Sequence, residues 1–96
     1  MTLPSLSALV ALETLARTGS VTRTAAEMAL THSAVSHKLK GLERRLGFAL
    51  TVPEGRGVAL TPRARAYVAE IRPALEALTR AARPGPAAEG RLTVNI

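Results

Sequence analysis

Residues 30–47 read LTHSAVSHKLKGLERRLG, and the reading of this stretch decides the fold. On a helix, Val35, Leu39, Leu42 and Leu46 fall at i, i+4, i+7 and i+11, one apolar stripe suited to packing on a core. The opposite face carries His32, Ser33, Ser36 and His37, then Lys40 and Arg44. Short hydrogen-bonding groups come first and cations follow, a sorting by length that solvation alone does not require.

Upstream, Leu3, Leu6, Leu9, Leu12 and Leu15, with Val10 and Ala16, predict a helix through residues 5–17 that stops at Gly19. Ser20 can cap a short second helix, whose Ala25, Ala26, Met28 and Ala29 offer small contacts for a closely approaching neighbour. Thr31 plays the same capping role for the quoted helix. Only Leu30 and Thr31 separate the second and third helices, which calls for a sharp turn.

Downstream of Gly47, the apolar residues Phe48, Leu50 and Val52, then Val58 and Leu60, recur with period two around Pro53-Glu54-Gly55-Arg56-Gly57. That pattern predicts a small hairpin projecting as a wing. Thr61-Pro62 is a helix start, a capping hydroxyl followed by proline at the first helical position. From there Ala64, Val68, Ile71, Leu75, Leu78 and Ala82 are spaced 4, 3, 4, 3, 4, a heptad stripe that favours pairing with a second copy over packing back on the domain. Pro73 interrupts it and is expected to kink or split the helix, at a cost of about 3 kcal/mol if unrelieved. The expected organisation is a winged helix-turn-helix over residues 1–61, a linker helix over 62–83, and a hinge with the opening of a β-strand over 84–96. A lone strand is not stable, so a further domain is expected to accompany it.

The totals agree with a small helical domain. Ninety-six residues suit one compact domain plus an appendage, and with 47% apolar but only 2% aromatic residues, Leu, Val and Ala must fill the core. Thirteen Lys and Arg against seven Asp and Glu give a net charge of +6. Residues 32–65 hold seven of those cations and two glutamates, so seven minus two places +5 of the charge in about a third of the chain. Charge so concentrated points to a polyanionic partner. The absence of cysteine excludes disulfides and thiolate metal sites, and fits a reducing interior. Residues 6–12 are apolar apart from Ser7, but no basic residue precedes them and Glu13 follows, unlike a secretory signal; no stretch is long enough to span a bilayer. A cytoplasmic protein is expected.

Helix, short helix, tight turn, helix and hairpin is the order of a winged helix-turn-helix, a mainly α module that inserts its third helix into the DNA major groove. At the groove floor His32, Ser33, Ser36 and His37 are short enough to reach base edges, and Ala34 suits a thymine methyl. Lys40, Arg44 and Arg45 are placed to meet phosphates, which set affinity and register. Other readings of the same residues are weaker. His32 and His37 at i, i+5 diverge around a helix and have no carboxylate or thiol to complete a metal site. Serines beside histidines suggest a nucleophile, yet no acid orients either base, so no enzyme and no cofactor are expected. The basic face as a mere solubiliser leaves its sorting unexplained. Arg56, between glycines, reads equally as a turn residue or as a minor-groove or phosphate contact at a wing tip.

The motifs resemble a known family. Gly19-Ser20-Val21-Thr22 with Ala25-Ala26, then Leu30-Thr31-His32-Ser33-Ala34-Val35-Ser36-His37, Leu42-Glu43, Leu46-Gly47 and Gly55-Arg56-Gly57-Val58-Ala59-Leu60-Thr61 closely resemble the N-terminal DNA-binding domain of LysR-type transcriptional regulators, across essentially the whole chain. The wording of residues 31–37 is similar to that of the glycine-cleavage-activator subgroup. The resemblance implies base reading by His32, Ser33, Ser36 and His37, backbone contacts at or beside Lys38 and Lys40, and a wing arginine at Arg56; Ala34 joins the expected base readers, and Thr22 and Arg44 the expected backbone contacts. It implies a linker helix that forms the homodimer through Ala64, Val68, Ile71, Leu75 and Leu78, and residues 91–96 as the first strand of an effector domain. In intact members that domain binds a small-molecule inducer and governs tetramer geometry, DNA bending and RNA polymerase recruitment. Two departures stand out. The family commonly has a bulky apolar residue and another arginine where this chain has Thr51 and Pro53, which implies weaker wing contacts; and Gly41 inside the third helix costs about 1 kcal/mol relative to alanine. The expected function is sequence-specific regulation of transcription at an inverted-repeat, double-stranded DNA operator. The alternative is a sequence-tolerant DNA-binding accessory protein, which needs the basic face but not the base-reading one.

Overall fold

A computed structural model describes residues 3–82. Its elements follow in the order α1 (Leu6–Thr18), α2 (Val21–Met28), α3 (His32–Leu46), β1 (Thr51–Glu54), β2 (Gly57–Leu60) and α4 (Pro62–Ala82). The architecture is mainly helical with one two-stranded antiparallel sheet, as the sequence leads one to expect. The expected hinge and strand over 84–96 lie outside the described residues.

Each helix start is capped by a hydroxyl. Ser5 Oγ accepts from the Ala8 N–H, Ser20 Oγ from Arg23 at 3.1 Å, Thr31 Oγ1 from Ala34 at 3.0 Å and Thr61 Oγ1 from Ala64 at 3.1 Å. Each satisfies one backbone donor that the helix itself leaves free. Gly19 and Gly47 end α1 and α3 in the left-handed conformation, and their N–H groups return to Leu15 and Glu43. α2 ends differently from expectation. Ala29 is not helical but sits at φ 55°, and the Leu30 N–H reaches the Ala25 carbonyl at 2.9 Å, so the sharp turn spans Ala29 to Thr31.

The core gathers Ala8, Ala11, Leu12 and Leu15 from α1, Ala25 from α2, Val35, Leu39 and Leu42 from α3, and Leu50, Leu60, Ala64 and Val68 from the second half. The leucine run of the first helix is only partly used. Leu3 is 77% exposed because it precedes the helix, and Leu6 is 54% exposed because a strict i, i+3 spacing drifts around a helix of 3.6 residues per turn. Ala8 and Ala11 take the inward places instead. Thr24 is fully buried without strain on its hydroxyl, which donates to the Ser20 carbonyl at 2.8 Å.

The hairpin turns at Gly55-Arg56, with Thr51 opposite Leu60 and Pro53 opposite Val58. Pro53 and Glu54 therefore belong to β1 rather than to the turn, a place open to proline because the strand has a free edge. The expected alternation holds in β2, where Val58 and Leu60 face inward, but not in β1. Leu50 is buried just before the strand, Thr51 shares the inward side with Leu60, and Val52 is 44% exposed. α4 runs unbroken through Pro73. The carbonyl left without a donor belongs to Ala69, on exposed surface where water can serve it, so the proline neither splits nor ends the helix.

Candidate nucleic-acid interface

α3 packs its Val35–Leu39–Leu42 edge on α1 and α2, which turns Ser33, His37, Lys40 and Arg44 outward. Successive residues are about 100° apart around the helix, so these four lie on the side away from the core. On either flank the surface is concave. Toward the wing, a groove of about 190 Å3 is lined by Ser36 and Lys40 with Val21, Thr51 and Val58. At the wing tip, a second of about 220 Å3 brings together Ser20 and Thr22 from the start of α2, His32 from the start of α3, and Arg56. On the far flank, a third of about 290 Å3 separates α3 from the first turn of α1, between Ser5 and Ala8 on one wall and His37, Gly41 and Arg45 on the other.

The structure thus brings Thr22, His32 and Arg56 to one depression, although 34 residues separate the first from the last. Ser36 and Lys40 sit together beside the wing, and His37 and Lys38 sit together beside α1. His32 and His37 line different grooves. Ser33 and Arg44 are exposed between the flanks, and Ala34 is half-buried. Lys38 is not wholly free to reach outward: its ammonium donates to Ser7 Oγ at 3.0 Å, and Ser7 Oγ lies 3.1 Å from Ser5 Oγ.

Cations dominate this side because its carboxylates are few or occupied. Glu43 accepts the Leu50 N–H at 2.7 Å and so ties the end of α3 to the wing. The ion pairs among the described residues lie elsewhere, Arg17 with Glu27 between α1 and α2, and Arg72 with Glu13 between α4 and α1. Lys40, Arg44, Arg45 and Arg56 have no acidic partner there. Sequence reasoning missed two contributors, Glu43 as the anchor of the wing and Ser5 as part of the α1 wall. A leucine-glutamate pair late in a helix gives no sign of its carboxylate's target, and Ser5 stands at the start of an apolar stripe with nothing in the sequence to mark it.

The dimerisation stripe divides. Ala64 and Val68 are buried in the domain's own core, which takes both away from any partner, whereas Ile71 and Leu75 are half-buried and Leu78 is 53% exposed. Among the described residues no group of three or more His, Cys, Asp or Glu is arranged to hold a metal, and no helix is long and apolar enough to cross a membrane.

Comparison with known proteins gives the same outline. The family of bacterial regulatory helix-turn-helix proteins of the lysR type matches residues 6–65. The glycine cleavage system transcriptional activator of Escherichia coli (strain K12) is 40% identical over 96 aligned positions, 98% of this chain and 32% of the relative. The chain therefore spans about a third of the length of that relative. Among solved structures, a probable transcriptional regulator, PA0477 from Pseudomonas aeruginosa, superposes with a TM-score of 0.77 at 32% identity, over 84% of this chain and 28% of that one. The DNA-binding domain of CbnR in complex with DNA superposes with a TM-score of 0.73, over 95% of this chain and 99% of that one; at 21% identity it speaks for the fold alone.

Proposed function

The chain belongs to the LysR family of bacterial regulatory helix-turn-helix proteins, and on that premise we propose that it binds double-stranded DNA and regulates transcription from an inverted-repeat operator. The observation that carries the reading is the outer face of α3, where short polar groups at the N-terminal end pass to cations at the C-terminal end, flanked by the wing arginine and the start of α2. Seated in the major groove, α3 presents His32, Ser33, Ala34, Ser36 and His37 to base edges. Thr22, Lys38, Lys40, Arg44 and Arg56 then meet the sugar-phosphate backbone, and lock the register of the helix without reading sequence.

A second copy completes the reader. Ile71, Leu75 and Leu78 on α4 form an apolar strip that the described residues leave partly uncovered, and pairing these strips in a homodimer presents two α3 helices to successive major grooves about 34 Å apart. We assign DNA reading and pairing to residues 3–82, while small-molecule control, tetramer formation and polymerase contact fall to the effector domain that the family resemblance implies. It acts in the cytoplasm, where the genome is.

Selection from the organism's own genome tests the reading. The immobilised protein captures genomic fragments at physiological salt and the bound fraction is sequenced. Enrichment of an inverted repeat, with affinity at least about 10³ above that for random duplex, is the expected result. Capture without a motif points instead to the sequence-tolerant accessory protein, and absence of capture rejects DNA binding.

A further inference from the structure

An α-helix with its side chains is about as wide as the major groove, so a helix seated there has a DNA strand against each flank. On one flank of α3 the wing and Arg56 are in place. The other flank holds the groove between α3 and α1, where Lys38 and Arg45 supply two cations, Ser5 and Ser7 supply hydroxyls, and no carboxylate lines the wall. Gly41 lies in the middle of that wall. A Cβ there would meet nothing nearer than the Arg44 guanidinium at 3.8 Å, so the domain's own packing gives no reason for a glycine inside the helix. Its bareness opens the groove outward.

We propose that the groove between α1 and α3 is a second DNA-backbone site, in which Arg45 and Lys38 hold the phosphates of the strand opposite the wing and Gly41 leaves room for its sugars. The inference rests on the DNA-binding reading above and adds α1 to the elements that touch DNA. Lys38, tethered to Ser7, fixes the position of one charge while Arg45, exposed and unpaired among the described residues, reaches for the next phosphate. The recognition helix is then clamped from both sides, which compensates for the short, arginine-poor wing.

The test measures binding of a labelled mixed-sequence duplex between about 50 and 200 mM salt, since phosphate contacts do not depend on sequence. Arg45→Gln is expected to lower the slope of log affinity against log salt by about 0.9 per bound domain. Gly41→Gln fills the groove with a neutral chain that favours the helix, so it is expected to melt no lower than the wild type and yet bind about tenfold more weakly. Arg65→Gln, in the groove between α1 and α4, serves as the control and keeps the wild-type slope. A wild-type slope in Arg45→Gln, or wild-type affinity in Gly41→Gln, overturns the second site while weaker binding of Arg56→Ala keeps the DNA-binding reading standing. A wild-type protein that binds no duplex at all overturns both.

Discussion

Ser36 lines the wing-side groove of α3 beside Lys40, and the proposed function gives it a base edge to reach. On the proposed reading, replacing it with alanine removes a hydrogen bond to one base edge and no charge. Ser36→Ala should therefore weaken binding at least about tenfold on the selected operator and change little on random duplex. Equal losses on both, in a fluorescence-anisotropy titration, would assign the serine to the backbone. Ala29 carries a different lesson. It adopts φ 55°, a conformation that costs an L-residue with a Cβ but not glycine, because the turn between α2 and α3 demands it. Ala29→Gly is expected to raise stability by about 0.5–1 kcal/mol, read as a shift of the urea midpoint. The sequence placed this turn within a residue but not its handedness, since alanine gives no signal for a left-handed position. Of the candidate base readers, Ser33 and His37 were legible as exposed groups opposite the apolar stripe, whereas the half-buried places of Ala34 and Ser36 were not.

Three of the four helix starts, capped by Ser20, Thr31 and Thr61, were readable because capping is local, a hydroxyl and the next three residues; the Ser5 cap of α1 was not singled out. The strand phase was not. Leu50, Val52 and Leu60 look alike in sequence, and only the packing of the hairpin on the core buries Leu50 and Leu60 while leaving Val52 outside. α4 shows the same limit at larger size. Its heptad spacing runs evenly through six positions, yet the first two are consumed by the domain's own core while the later ones are half-buried or exposed. Leu78→Glu places a charge in that strip without touching the core. The expected outcome in analytical ultracentrifugation is a shift from dimer to monomer with an unchanged melting transition of the domain, and loss of operator binding that depends on both half-sites. A dimer that survives Leu78→Glu would place the seam elsewhere. Leu12, fully buried in α1, marks the contrast: Leu12→Ala should cost about 2–5 kcal/mol of stability, because it opens a cavity among helices that have no larger side chain to fill it.

Across the domain, the ion pairs among the described residues join α1 to α2 and α4 to α1 and leave Lys40, Arg44, Arg45 and Arg56 unengaged. The Arg17 guanidinium donates to both oxygens of Glu27, at 2.8 and 3.3 Å, and these hydrogen bonds, partly offset by desolvation and aided by the opposite charge, keep the Glu27 carboxyl below the ordinary glutamate value of 4.5. A lowered folded-state value means the pair stabilises the protein above that ordinary value, and that its contribution disappears as the pH falls through the folded one. The pair is solvent-exposed, so the effect is small. In denaturation curves, Glu27→Gln should be less stable than the wild type at neutral pH, and the gap should close in acid; a constant gap would deny the linkage. The sequence by itself determined the helical class, the order of elements, the caps and the charged face, because periodicity, capping hydroxyls and charge clustering act over a few residues and read out directly. Tertiary structure alone decided which stripe positions are spent inside, which strand face is wet, and that Thr22, His32 and Arg56 share one depression while Ser5 and Arg45 flank another. Those are distances between residues far apart in the chain, and they exist only once the helices have chosen one way to bury Leu12, Leu15 and Val35 together.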